Sequence, residues 1–465
     1  MSNSAQSAGA SAARGEFDIG INETLPLGQL IGIGLQNIFG MTGMFVFPGI
    51  LGRAFGMPLG DIAYLYGMVF LVSGLTTCFQ AVGLLRLPIV QGPYVGTFIG
   101  LLVLGHLPGA GLGVAFGSLF VASICWALLA LPIRGMSFIA LFGRYFEDPM
   151  ISGTMVILSM MQIAMVSMPN WLGAANSPGF PLINLLAGLV CIIVFVIFTL
   201  WGGGWVRRFA ILAGLIAGTA CYALFVPVSF APIAGAPWLV VPRLFPFGFG
   251  VRLDAVLVFL CALLPASIGT MSLYQIVARW GNEPITPVRM SGGCFAAALG
   301  SVLGAALGTF SMYVYPDNMG MLRTTRVGSR YGTLSAGVLL VLFGCCVKFD
   351  MLLVIVPNVV ISGVATVLFG IVMVHGIHLL AQVELNERTL VIGGAALMVG
   401  LGGLFVPPEV LHALPVIAQL ALKQSAVTGG VVLFALYAVL GRPAATLPEE
   451  AGVIPVPRPL AGEAQ

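Results

Sequence analysis

From Leu27 to Leu440 the chain repeats one pattern: an apolar run, then a short break of polar, Gly or Pro residues. Most runs approach the ~20 residues that an α-helix needs to cross a ~30 Å hydrocarbon core. The pattern predicts about fourteen transmembrane segments, over residues 27–47, 61–84, 88–104, 110–132, 149–168, 181–200, 209–228, 254–276, 290–308, 309–322, 332–347, 350–375, 390–405 and 426–441. Lipid offers the backbone no hydrogen bonds, so the predicted fold class is an all-α polytopic membrane protein. Two segments depart from the pattern. LPIVQGPYVGTFIG (87–100) and GTFSMYVYPDNMGMLRTTR (308–326) are short, broken by Gly or Pro, and partly strand-like in composition. Broken backbone at membrane depth is tolerated only where protein or a watery cavity satisfies its amides and carbonyls. These are the third and tenth segments, seven apart, as an inverted repeat of seven plus seven requires, and such a pair points to a binding site near the midplane.

Composition removes the alternatives. Of 465 residues, 59% are hydrophobic and 8% charged, against roughly a quarter charged in a soluble domain. The net charge of +3 is spread over loops without interleaved aromatics, which gives no nucleic-acid surface. The eight cysteines fall in or beside apolar runs with no metal-ligand spacing and read as packing residues, so neither cofactor nor metal is expected. If both ends are cytosolic, fourteen of the 19 Lys and Arg lie in the tails and inward loops, and five (Arg53, Arg243, Arg252, Lys348, Lys423) lie outside. That split obeys the positive-inside rule and supports an even number of spans in an inner membrane with both termini cytoplasmic. Residues 1–24 lack an apolar stretch and read as a disordered cytosolic tail rather than a cleaved signal, and 442–465, rich in Pro, read as a second. Gly300, Gly304 and Gly308 recur every four residues and predict a close helix contact.

In YPDNMGMLRTTR the spacing of Asn318, Gly320, Thr325 and Arg326 matches the tenth-span signature of the nucleobase-ascorbate transporter family (nucleobase:cation symporter-2), with Asp317 at its first position. GLQNIFGMTGMFVFPGIL (34–51) is similar to the family's first span, with Gln36 kept and Asn37 where a histidine is usual. RLPIVQG (86–92), GWVRRFAILAGLIAG (204–218), PWLVVPRLFPFG (237–248), HGIHLLAQVELNERT (375–389) and LHALPVIAQLAL (411–422) extend the resemblance over all but the tails. The resemblance implies a core domain built from residues 25–135 (spans 1–4) and 250–347 (spans 8–11). It implies a gate domain from 145–230 (spans 5–7) and 350–441 (spans 12–14). It further implies a homodimer in the lipid bilayer that moves core against gate like an elevator, with proton symport or, alternatively, sodium.

Asp317 is the residue on which binding and proton coupling are expected to turn. A carboxylate inside a broken span costs roughly 2.5–3.5 kcal/mol to insert and is kept for a partner, a cavity or a function. Ionised, it accepts a hydrogen bond from a ring N–H; the competing reading is a cap on the following helix. Asn318 offers donor and acceptor together to a solute with alternating N–H and C=O edges, or else ties the two broken segments together. Pro316 precedes them. Tyr94, Val95 and Gly96 occupy the stretch that faces substrate in relatives, where Tyr94 either stacks on a planar ring or simply packs. Thr325 and Arg326 lie at the cytosolic end of the motif, Arg326 as a loop or terminus anchor. In the eighth span, alignment on Gly269 puts Ala266 where nucleobase carriers usually carry an acid, with Ser267 and Thr270 nearby.

Asp61, Asp254 and Asp350 read as helix caps, and His375 and His378 as interfacial histidines. The four histidines (106, 375, 378, 412) form no hydrolase or metalloenzyme motif, so an enzyme is not expected. The expected function is a permease for a purine or pyrimidine such as uracil or xanthine. The alternative is a same-fold carrier of another small organic solute or anion, for which the missing eighth-span acid speaks, and a passive channel stands behind both.

Overall fold

The computed structural model describes residues 15–39, 41–107, 109–133, 137–139, 149–172, 182–203 and 209–440. The predicted tail segments 1–14 and 442–465 lie outside the described residues, as do Arg134, Arg144, Arg207 and Arg208. The chain runs through α1 (Leu27–Phe39), α2 (Thr42–Ala54), α3 (Leu59–Val82), β1 (Gln91–Pro93), α4 (Val95–Gly105), α5 (Gly111–Ala130), α6 (Pro149–Leu172), α7 (Leu182–Leu200), α8 (Ala210–Ala223) and α9 (Ala231–Gly235). It continues through α10 (Leu253–Trp280), α11 (Pro287–Ala306), β2 (Met312–Val314), α12 (Pro316–Thr325), α13 (Arg330–Cys345), α14 (Val347–Ile355), α15 (Asn358–Leu380), α16 (Glu387–Gly402), α17 (Pro408–His412), α18 (Val416–Leu422) and α19 (Ser425–Leu440).

Among the described residues eight helices are long and apolar enough to cross a membrane, or nine if the bent pair α1–α2 counts as one span. Helices α4, α8, α13 and α19 are apolar but shorter. The chain is thus a multi-pass integral membrane protein. Local signals set the ends. The Thr286 hydroxyl accepts the Arg289 amide at the start of α11, with Pro287 in the first turn, and Asn386 and Thr389 form a reciprocal cap on α16.

Two spans expected to be continuous are broken. Residues 27–47 form α1 and α2, which meet at a bend of 42°; Gly43 leaves the room that the Tyr315 hydroxyl occupies, since a Cβ there would lie 2.0 Å from it. Residues 350–375 divide between α14 and α15 at Val356 and Pro357, where proline has no N–H to continue the helix.

The helices pack in two groups. In one, α3 lies along α13 and α11, and α5 along α11 and α10. Backbones of α3 and α13 touch at Gly67/Gly344 and Gly74/Gly337, where an added Cβ would come within 3.0 Å of the facing carbonyl. Of the three glycines picked out by their spacing, Gly300 faces Thr76 of α3, while Gly308 ends the helix in a left-handed turn. In the other group α15 lies along α6 and α7, α7 along α8, and α16 along α19. Arg243, Arg53 and Lys348 sit at one end of the bundle, against Asp61, Val356 and Trp238. Arg289 and Arg330 sit at the other, on the Leu85 and Ala81 carbonyls.

Candidate functional site

The two broken segments meet each other. Strands β1 and β2 pair antiparallel, Gln91 with Val314, Gly92 with Tyr313 and Pro93 with Met312. The Tyr94 amide donates to Ser311 O at 2.9 Å and the Tyr315 amide to Val90 O at 3.1 Å, so each segment satisfies backbone groups of the other. Both strands then give way, after a tyrosine, to a half-helix: Tyr94 precedes α4 and Tyr315 precedes α12. The Thr97 hydroxyl closes the junction by donating to the Tyr94 carbonyl (3.0 Å) and hydrogen-bonding the Ser311 hydroxyl (2.6 Å). First-turn amides of a helix have no partner within it and carry the positive end of its dipole, so two such ends lie beside one two-stranded sheet.

A polar brace holds this sheet. Gln91 Nε2 donates to Gln80 Oε1 on α3 (2.8 Å), and Gln80 Nε2 donates to the Tyr274 hydroxyl on α10 and the Gly293 carbonyl on α11, both at 2.8 Å. Gln91 stood in a family-like stretch of sequence, but its positioning role depends on partners eleven or more residues away.

A narrow cleft separates the broken segments and α10 from the second helix group. Tyr94, Gly96, Cys261 and Ala262 face Gln162 of α6 and Gln424 of the turn between α18 and α19 across it. Gln162 is committed to that turn: its Oε1 accepts the Ser425 amide (3.0 Å) and hydroxyl (2.9 Å), and its Nε2 donates to the Lys423 carbonyl. Gln424 is different. It is 3% exposed, its amide nitrogen lies 3.0 Å from where a Cβ on Gly100 of α4 would be, and no hydrogen bond to a described residue engages its side-chain amide. Sequence reasoning missed it, because a glutamine in a polar break is indistinguishable from an ordinary loop residue.

The residues singled out in the sequence divide between two places. Tyr94 and Gly96 line the cleft, and Val95 between them is half-buried. The Tyr94 ring packs on Tyr313, with centroids 5.1 Å apart, and the Tyr313 hydroxyl reaches Gly269 of α10. Ala266, Ser267 and Thr270 are buried on α10. Ala266 follows the cleft-lining Ala262 by four residues, on the same helix face.

The backbones of Pro316, Asp317 and Gly320 lie in the first turns of α12, while their side chains lie outside what the structure describes. Asn318 is fully buried and donates from Nδ2 to Asn37 Oδ1 of α1 at 2.8 Å, with its own Oδ1 left unpartnered. It therefore ties the tenth segment to the first span rather than to the third. Arg326 ends α12 in a left-handed conformation and its carbonyl accepts the Asp18 and Ile19 amides at 2.8 and 3.3 Å, at the opposite end of α12 from Asp317. The Thr325 hydroxyl accepts the Val327 amide. Of the three acids read as caps, Asp254 and Asp61 lie in the first turn of their helices and not at the cap, which Arg252 and Pro58 occupy: Asp254 accepts the adjacent Ala255 amide and pairs with Arg252 (2.9 Å), and Asp61 pairs with Arg243 (3.1 Å). Asp350 accepts no hydrogen bond from any described residue, which corrects the cap reading for that residue.

Two paired broken segments with two half-helix starts thus lie beside a cleft toward a second helix group, and among the described residues no three His, Cys, Asp or Glu side chains cluster where a metal ion could be held. The profile of the Permease family (Xan_ur_permease) matches residues 28–409. The chain belongs to this family. Membership agrees with the motif at Asn318, Gly320, Thr325 and Arg326, and it makes the protein a transporter rather than an enzyme. Uric acid permease PucK of Bacillus subtilis (strain 168) is 28% identical over 88% of this chain and 95% of its own length. Xanthine permease XanQ of Escherichia coli (strain K12) is 26% identical over 84% of this chain and 86% of its own. Among solved structures, the inward-facing murine anion transporter Slc26a9 has the same fold, with a TM-score of 0.58 and 10% identity over 90% of this chain and 70% of that one.

Proposed function

We propose that this permease carries a purine nucleobase of the xanthine or uric acid kind across the cell's inner membrane by proton symport. The carrying observation is the position of the cleft, where the Tyr94 ring and the Gln424 amide, unpaired among the described residues, face each other's helix groups; the cleft is closed down to about 10 Å³ in this conformation, so the ring enters as the two helix groups part. A flat ring presents a π-face to a tyrosine and alternating N–H and C=O groups to an amide. The names of the relatives support the substrate class. Asp317, at the start of α12, is the proton-coupling group in this reading, and it both binds the ring and titrates.

On this reading the matching strand, tyrosine and half-helix order of residues 91–105 and 312–325 reflects a seven-plus-seven inverted repeat of fourteen segments. The first helix group with the broken segments is the core and the second is the gate. The core slides against the gate in an elevator motion, both termini are cytoplasmic, and the unit is a homodimer. Two glycine-rich helix faces at the α3–α13 contact keep the core rigid as it moves.

The test is uptake of labelled xanthine, uric acid and uracil by cells expressing the protein, with and without a protonophore. Saturable purine uptake that the protonophore abolishes is expected; no uptake of any nucleobase defeats the reading. A second reading, transport of another small organic anion, is favoured by Ala266 and by the two positive half-helix ends. It predicts that organic acids, and not purines, compete for the cleft.

A further inference from the structure

Asp350 is the one carboxyl among the described residues that is completely buried, at 0% exposure, with neither oxygen partnered. It lies on α14, the nine-residue helix that connects α13 of the core to α15 of the gate and packs on α3, α9 and α2. Its Oδ2 sits 2.7 Å from where a Cβ on Gly67 of α3 would be, so the carboxyl fills the space that the glycine leaves.

The groups around it are few. On α3, the Tyr66 hydroxyl donates to the Phe45 carbonyl at 2.9 Å. Cys346 precedes α14, and its carbonyl accepts the Asp350 amide at 3.2 Å. Lys348, on α14 itself, turns to the Trp238 ring, 4.2 Å away. Helix α9 (APIAG) contributes no titratable side chain. From α2, Arg53 Nη2 grips the Val354 and Val356 carbonyls at 2.8 and 2.5 Å, and its Nη1 is buried without a partner. A half-buried cation that grips the end of this short helix, with one nitrogen buried and free, thus lies near a fully buried acid on it without pairing with it.

An ionised carboxylate sealed from water with no donor is strongly disfavoured, whereas a neutral acid is tolerated there. The protonated form suits the seated helix, and the ionised form needs water or the free Arg53 Nη1, which requires α14 to leave its seat. We propose that Asp350 is a second proton-carrying residue of the transport cycle, which holds the connecting helix against α3 when protonated and releases it when the proton leaves. The proton is taken from and returned to water on the two sides of the membrane, with no other co-reactant. This rests on the proton-symport reading above and goes beyond it, since the site is separate from the substrate cleft.

Purified protein in liposomes tests it, with labelled xanthine as the probe. Two readouts are needed: accumulation driven by an imposed pH gradient, and exchange of internal for external xanthine without a gradient. Asp350→Asn, which imitates the protonated acid, is expected to keep exchange and to lose gradient-driven accumulation. Accumulation equal to wild type overturns the proposal, and so does loss of both readouts in a folded variant, which marks a structural role only. Should Asp350→Asn not be recovered folded, Asp350→Glu decides. A longer acid moves the pH at which accumulation falls, and an unchanged pH profile overturns the proposal. If the wild type itself shows xanthine exchange but no gradient-driven accumulation, the symport reading fails, and the failure is distinct from that of Asp350.

Discussion

Asp317→Asn is expected to abolish gradient-driven accumulation of purine while the protein still reaches the membrane in normal amount. The only acid in either broken segment is Asp317, at the second position of α12. Asn keeps the size and the hydrogen-bonding capacity of the side chain but cannot exchange a proton. It also offers one carbonyl oxygen in place of a carboxylate, and hydrogen bonds to a charged group are worth about 1.5–3 kcal/mol against 0.5–1.5 for neutral pairs. Binding therefore weakens about tenfold, a 1.4 kcal/mol change, and coupling is lost altogether. The eighth-span position at Ala266 carries no acid that could stand in for it. Transport kinetics and protonophore sensitivity in membranes matched for expression give the answer, and a variant that still accumulates purine with wild-type kinetics removes Asp317 from the mechanism.

Gln424→Ala is expected to raise KM for purine by about tenfold with little change in kcat, because a side-chain amide that loses one or two hydrogen bonds to bound solute gives up about 1–2 kcal/mol. Stability should hardly change, since among the described residues the amide has no partner to abandon. Gln162→Ala makes the control. Its side chain holds Ser425 and Lys423 in place, so its loss loosens the turn that carries Gln424 and lowers both folded yield and affinity. Equal effects of the two substitutions on yield contradict the distinction, as does an unchanged KM in Gln424→Ala.

Much of this site could be seen in the sequence because lipid imposes a strict rule on the backbone. Once 87–100 and 308–326 were too short and too broken to be ordinary spans, their amides had to find partners, and the partners are each other through β1 and β2. Pro316 and the tyrosines at 94 and 315 mark the strand-to-helix joints.

The bend between α1 and α2 and the split at Pro357 were hidden for a different reason. Hydropathy registers how apolar a stretch is and not how straight, and the apolar character of FGMTGMFVF and MLLVIVPNVV continues through each break. The far wall of the cleft was equally hidden. Gln162 and Gln424 are 262 residues apart and acquire meaning only when α6 and α19 pack side by side. Asn318 illustrates an intermediate case. Its burial and its bonding to another element were foreseeable from a polar residue in a broken span, but the partner, Asn37, stands at the family's usual histidine position in the first span.

Cys261 offers the most direct probe of where the solute sits. It lines the cleft beside Ala262, opposite Gln424, and its thiol is accessible. In a variant that retains Cys261 and replaces the other seven cysteines, alkylation by N-ethylmaleimide should be slowed by xanthine or uric acid at concentrations near KM, and not by a sugar or an amino acid. Alkylation at the same rate with saturating purine, in protein that still transports it, would place the solute elsewhere and contradict the proposed site.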